Sequence, residues 1–333
     1  MDFPMMDPVA FFKAGDTVEG YRVLSELGKG AASVIYLVQD PRNKHIWALK
    51  HVHRATEKDE RFLEQTIAEA EVGQKLDHPH VRKIHKLIKK TKGFFKVCDV
   101  FLVMEYLDGP SMDRSRPQSF DEAITVFQQT AAALRHMHER GFVHADMKPN
   151  NIVLMPGPHC KVIDLGQSCK IGTVKPRIQG TPDYIAPEQV HRREITPKTD
   201  IYNLGATMYW TLTKKTIPTA LAKADALVSR IDDDLLQKPT PAIDLNGRIH
   251  PRLNELIMHC VEVNPDNRPD SMSFVADRLQ LILGMLRAKA DGRAAEAQSA
   301  NSATGMIDLS GSSTGIKLEE PRKASSDTDD LDP

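Results

Sequence analysis

The stretch HADMKPNN, His144 to Asn151, followed by IDLG, Ile163 to Gly166, decides the reading of this chain. It sets Asp146, Lys148 and Asn151 within one short turn-rich segment, and a second aspartate, Asp164, closes the β-rich run CKVID just downstream. Each residue alone has an ordinary explanation, because Asp and Asn near a proline usually cap or close turns. Together they match the needs of phosphoryl transfer from a nucleoside triphosphate. That chemistry wants a carboxylate to take or orient the proton of an attacking hydroxyl, a cation for the migrating charge, and hard oxygen donors for Mg²⁺. Asp146 suits the first role, Lys148 the second, and Asn151 with Asp164 the third.

On these residues the chain resembles the protein kinase family, and the remaining family motifs occur in the family's order across residues 16–286. GKGAASVI resembles the glycine-rich loop, with Gly28 and Gly30 in place and Ser33 where a third glycine would stand. A glycine pair between strands lets backbone N–H groups come close to phosphates. Lys50 ends the apolar run WALK, where an inward-facing ammonium needs anionic partners. The resemblance implies that these are the nucleotide phosphates and a helix glutamate, Glu69, with Glu64 and Glu71 as weaker candidates. It further implies Ile35, Ala48 and Val153 around an adenine ring, the backbone of Glu105 to Leu107 along its edge, and Met104 behind it.

DMKPNN and GTPDYIAPE, Gly180 to Glu188, resemble the serine/threonine branch, which implies Thr181 beside Asp146 and Lys148. Glu188 and Arg268 are then expected as a buried ion pair, with Asp200 bracing the catalytic loop. Besides Ser33, three positions depart from the family pattern. Leu165 replaces the phenylalanine after the metal-binding aspartate, a conservative apolar change. Ala145 replaces the arginine that anchors a phosphorylated activation loop, so activity is expected to depend little on Ser168 and Thr173. Gly73 stands one turn after Glu69, where a larger apolar residue is usual. Either a contact is unmade there, which makes the Glu69 helix a place for a regulatory partner, or a neighbouring bulky residue such as Phe62 or Phe101 fills the gap.

The fold class implied is α+β and bilobal: a small antiparallel β-sheet lobe with one main helix, and a larger, mainly helical lobe. An extension covers 1–15, the small lobe 16–104, the hinge 105–109, the large lobe 110–286, and a disordered tail 287–333. Periodicity agrees. YRVLSELGKG, AASVIYLVQD and HIWALKHVH read as paired strands, Glu57 to Leu76 as a helix stopped by DHPH, and DEAITVFQQTAAALRHMHERG as a helix ending at Gly141. Beyond Leu286 large apolar residues nearly vanish, so that segment cannot offset its chain entropy by burial. The tail reads as a solubilising segment, with a docking or autophosphorylated tail as the alternative.

A formal net charge of -1 gives no electrostatic case for nucleic acid or an anionic membrane as partner. The four cysteines are scattered and read as reduced thiols. The sequence shows neither a leader pattern nor an apolar run of about 18 residues, so a cytoplasmic protein is expected. The expected function is transfer of the ATP γ-phosphate, with Mg²⁺, to Ser/Thr hydroxyls of protein substrates. The alternatives are a pseudokinase scaffold, which would typically lack one of Lys50, Asp146, Asn151 or Asp164, and an adaptor acting through its tail. A small-molecule kinase would share the nucleotide chemistry but not the GTPDYIAPE segment.

Overall fold

Six antiparallel strands form one sheet: β1 (Thr17–Val18), β2 (Tyr21–Lys29), β3 (Ser33–Gln39), β4 (Ile46–His53), β5 (Ile84–Lys92) and β6 (Lys96–Glu105). Their order is β1-β2-β3-β4-β6-β5. Side chains alternate across a strand, and that alternation builds two different faces. Leu49, Phe101 and Val103 pack with Tyr36, Val38 and Phe12 on one side. Ala48, Leu102 and Met104 pack with Ala70 on the other. Ala70 belongs to α1 (Glu60–Gly73), a helix that buries Leu63, Thr66, Glu69, Ala70 and Gly73. Three- and four-residue spacing places those residues on one stripe, so Glu69 faces the same side of the sheet as Lys50.

One large core holds the second lobe together, with a smaller cluster of Val143, Ala145 and Ile195 beside the catalytic loop. The helix Phe120–Glu139 is capped by Ser119, whose Oγ accepts from the Glu122 amide at 3.1 Å. The helix Pro197–Thr213 is buried on nearly every side, as a helix at the centre of a lobe must be. Between them lie the catalytic loop and two short strands, Ile152–Met155 and His159–Val162, paired with each other. The lobes join through the hinge that follows β6. Gly109 is required there, because a Cβ would overlap the carbonyl of Leu154.

The computed structural model describes residues 12–30, 32–92, 96–218 and 238–304. The described residues fall into two units, one ending at Arg287 and the other beginning at Ala288. Composition predicts disorder from residue 287, whereas the helix Met272–Thr304 continues past that point; alanine-rich sequence sustains a helix without a large apolar face. The rest of the expected tail lies outside the described residues. Among the described residues, no helix is long and apolar enough to cross a membrane.

Candidate active site

Lys50 and Glu69 meet across the sheet–helix boundary, with Nζ 2.7 Å from Oε2. Glu69 is only 1% exposed, and a buried carboxylate is costly without such a partner. A second cation also reaches it: Arg82 Nη2 lies 3.6 Å from Oε1. The Arg82 amide donates to the Val162 carbonyl of the large lobe at 2.9 Å. Arg82 therefore ties Glu69 to both lobes. Sequence reading passed over it, and nothing in DHPHVRK separates it from an ordinary surface arginine. We expect Arg82→Met to lower kcat/KM for ATP about fivefold, the loss of a partly exposed pair worth roughly 1 kcal/mol, and Arg82→Lys to restore part of it. Steady-state kinetics against ATP concentration check this.

The space expected beside Gly73 is filled. A Cβ there would overlap Cγ1 of Ile84, with Ile84 Cβ at 3.2 Å and Leu165 Cδ1 at 3.4 Å. The glycine lets β5 come close to α1, and Ile84 supplies the apolar contact that a larger residue on the helix would make. That removes the reason for expecting a partner on the Glu69 helix. Gly73→Leu is therefore expected to overpack this junction, costing about 1 to 3 kcal/mol and lowering turnover. A melting curve and a basal activity measurement decide it, since a rise in both would show that the space yields.

In the catalytic loop Asp146, Lys148 and Thr181 form a closed triangle. Lys148 Nζ donates to Asp146 Oδ2 at 2.8 Å and to Thr181 Oγ1 at 2.7 Å, and Thr181 Oγ1 donates to Asp146 Oδ1 at 2.9 Å. Asp200 holds the loop from beneath. Its carboxylate accepts from the amides of His144 at 2.9 Å and Ala145 at 2.8 Å, and lies 2.8 Å from His138 Nε2. Ala145 and Asp164 both sit at φ 62°, a region most side chains avoid. Such backbone persists only where the surroundings fix it, and here Asp200 does so for Ala145.

Asn151 donates Nδ2 to the Asp146 carbonyl at 2.7 Å, which leaves its Oδ1 as the available acceptor. Asp164 accepts from the Gly166 amide at 3.3 Å. Burial by itself would push the Asp164 carboxyl up. The charge of Lys50, with His144, the Gly166 amide and Arg82, outweighs it and holds the group below the usual carboxylate range. The pair thus offers one amide oxygen and one ionised carboxylate, a hard-oxygen donor set that fits Mg²⁺.

A cleft of about 480 Å³ opens between the lobes, lined by Leu27, Ile35, Ala48, Arg82 and Val153 with the hinge residues Glu105 to Pro110. Met104 is fully buried behind it. The Glu105 amide donates to the Lys83 carbonyl at 2.9 Å and its side chain pairs with Lys161 at 2.8 Å. Along this edge the Glu105 carbonyl and the Leu107 amide are the groups that could meet a base. Gly28 pairs in register with Ile35, and the Gly30 amide closes the loop by donating to the Ser33 carbonyl at 2.7 Å. Leu27 and Arg82 line the cleft without having been singled out in the sequence.

The protein kinase domain model matches residues 21–279, most of the chain. The chain belongs to the protein kinase family. The kinase domain is 28% identical over 271 residues to a probable serine/threonine-protein kinase of Clostridium acetobutylicum, covering 79% of this chain and 40% of that protein. It is also 28% identical over 280 residues to serine/threonine-protein kinase PknA of Mycobacterium tuberculosis, covering 81% of this chain and 63% of the relative. The chain thus spans less than two thirds of the length of these relatives. Among solved structures it resembles the Mycobacterium tuberculosis PknI kinase domain, with 26% identity, a TM-score of 0.60 and coverage of 81% of this chain and 99% of that one.

Besides the charged contacts of Thr181, an uncharged side chain holds the activation segment of the kinase domain. Gln189 Nε2 donates to the carbonyls of Ala145 at 2.8 Å and Gln179 at 3.2 Å. Its Oε1 accepts from the Ala186 amide at 3.0 Å and Asn203 Nδ2 at 3.1 Å. One buried amide therefore links the segment to the catalytic loop at the position where an arginine is missing. Farther along, Glu188 and Arg268 form a bidentate pair at 2.8 and 3.0 Å.

Proposed function

We propose that the chain is a serine/threonine protein kinase that transfers the γ-phosphate of ATP to hydroxyls of protein substrates. The observation that carries this is the triangle of Asp146, Lys148 and Thr181, formed while Lys50 and Glu69 are also paired. Asp146 accepts the hydroxyl proton, and Thr181 orients that carboxylate through its second oxygen. Lys148, held by both, stands ready to neutralise the transferring group. Lys50 binds phosphate oxygens while Glu69 fixes its direction. Asn151 and Asp164 would hold Mg²⁺, which screens the phosphate charge when bound. Ile35, Ala48 and Val153 would enclose the adenine, and the backbone at Gly28, Gly30 and Ser33 would lie over the phosphates. Because Lys50, Asp146, Asn151 and Asp164 are all present, a pseudokinase scaffold has no support from the site. A cytoplasmic location is part of the same proposal. The test is incubation with γ-labelled ATP, Mg²⁺ and a general protein acceptor, followed by phosphoamino-acid analysis. Label on serine or threonine supports the proposal, and no label with a folded, nucleotide-binding protein rejects it.

Activity is expected not to need a phosphorylated activation loop. Ser168 is buried, with Oγ 3.5 Å from the His144 carbonyl, and Thr173 Oγ1 donates to the Lys170 carbonyl at 2.6 Å. Gln189 already performs the anchoring. The double variant Ser168→Ala/Thr173→Ala should keep kcat/KM within about threefold of wild type, equivalent to less than 1 kcal/mol. A tenfold loss would contradict this.

A further inference from the structure

We propose that the small lobe carries a zinc site, built from His51, His53 and Asp99 on the face of the sheet opposite Lys50. Strand alternation puts His51 and His53 on one face of β4, and the β4–β6 register sets Asp99 directly across from His53. His51 Nε2 and His53 Nδ1 lie 2.8 and 2.7 Å from the same oxygen, Asp99 Oδ1. The three ligand atoms all fall within 4.8 Å of one another, the one such group among the described residues. Two imidazoles and one carboxylate match the three-ligand zinc sites that leave a fourth position to water, and imidazole nitrogen favours such metals over Mg²⁺ or Ca²⁺.

The simplest alternative is a metal-free network in which each ring donates an N–H to Asp99. Several features favour more than that. The His51 ring is 4% exposed and stacked on Phe101 at 4.4 Å and 5°, with Phe12 at 5.4 Å, so one nitrogen is aimed before any ion arrives. Its neighbours in the cluster are more open, at 25% for His53 and 22% for Asp99, which gives an ion a route in and a water-facing position. Donors around a tetrahedral zinc at about 2.0 to 2.1 Å stand roughly 3.3 Å apart, so only a small rotation of the Asp99 carboxylate is needed. Each neutral ring keeps its single proton, which moves by way of solvent to the nitrogen not bound to metal. None of the three residues belongs to the catalytic machinery. The ion would tie β4 to β6 next to the residue that holds the nucleotide phosphates.

The full chain is dialysed against micromolar Zn²⁺ with millimolar Mg²⁺ present to occupy the oxygen donors of the cleft, and bound metal is measured by plasma mass spectrometry. One zinc per chain is expected, together with a rise in Tm of about 5 °C at a hundredfold excess over Kd. His53→Gln and Asp99→Asn should both lose the metal and the Tm rise. Melting in EDTA shows whether each variant folds, and His53→Gln, at a half-buried position, keeps the test decisive if Asp99→Asn does not. Failure of wild type to take up zinc, or retention of zinc by the folded variants, overturns the site.

Discussion

Asp164→Ala is expected to lower phosphoryl transfer by at least about 100-fold, the scale on which a preorganised charge contact in a transition state acts. The aspartate is held ionised against burial by Lys50, and it sits at φ 62° at the end of the strand-like run that leads into the activation segment. Alanine removes the only carboxylate of the proposed metal pair and leaves Asn151 with a neutral oxygen. It also leaves Lys50 without one of its two nearby anions, although the 2.7 Å contact with Glu69 remains. The fold should survive, since Leu165 stays in the core beside Gly73 and the Asp200 contacts to His144 and Ala145 are untouched. Single-turnover assays with Mg²⁺ measure the chemical step, and calorimetric titration with ATP in the presence and absence of Mg²⁺ measures whether the metal-dependent part of binding is lost. Turnover near the wild-type value in a folded variant would remove Asp164 from the site.

Arg268→Ala should destabilise the large lobe by about 3 to 5 kcal/mol, because it strands the buried carboxylate of Glu188. Arg268 is 1% exposed and Glu188 4% exposed, and their two contacts are 2.8 and 3.0 Å. The guanidinium also donates to the carbonyls of Glu262 at 2.7 Å, Lys198 at 2.9 Å and Val263 at 3.0 Å. Every one of those acceptors loses its partner. Thr199 Oγ1 still donates to Glu188 Oε1 at 2.8 Å, but a single hydroxyl cannot balance the charge. Urea unfolding gives the free energy directly, and the double variant Arg268→Met/Glu188→Leu separates stranding from packing. It should recover much of the loss, since replacing both members of a buried pair with apolar residues is often close to neutral. A single-variant loss below about 1 kcal/mol would mean that water or neighbouring groups compensate Glu188 in a way the packing does not provide.

The features that periodicity and short motifs carry are local in origin, whereas the distant pairings of Glu188 with Arg268 and Thr181 with Asp146 are implied by the family resemblance. Two-residue alternation in HIWALKHVH and helical spacing through Glu69 carry their own periodicity, so the strand of Lys50 and the helix of Glu69 follow from short stretches, whereas the pairing of the two is implied by the family resemblance. The catalytic loop is similar, since Asp146, Lys148 and Asn151 lie within one turn-rich segment and Asp164 follows closely. Strand β5, IHKLIKKTK, escaped that reading because its lysines mask a weak apolar alternation, and its place at the sheet edge is fixed only by pairing with β6. Arg82, Gln189 and the His51–His53–Asp99 cluster each depend on distant segments meeting in one register or orientation. Gly73 shows the difference most plainly. On the sequence a missing side chain reads as a missing contact; in the folded lobe it is the clearance that lets Ile84 pack against the helix, because close packing fills a space from whichever element can reach it.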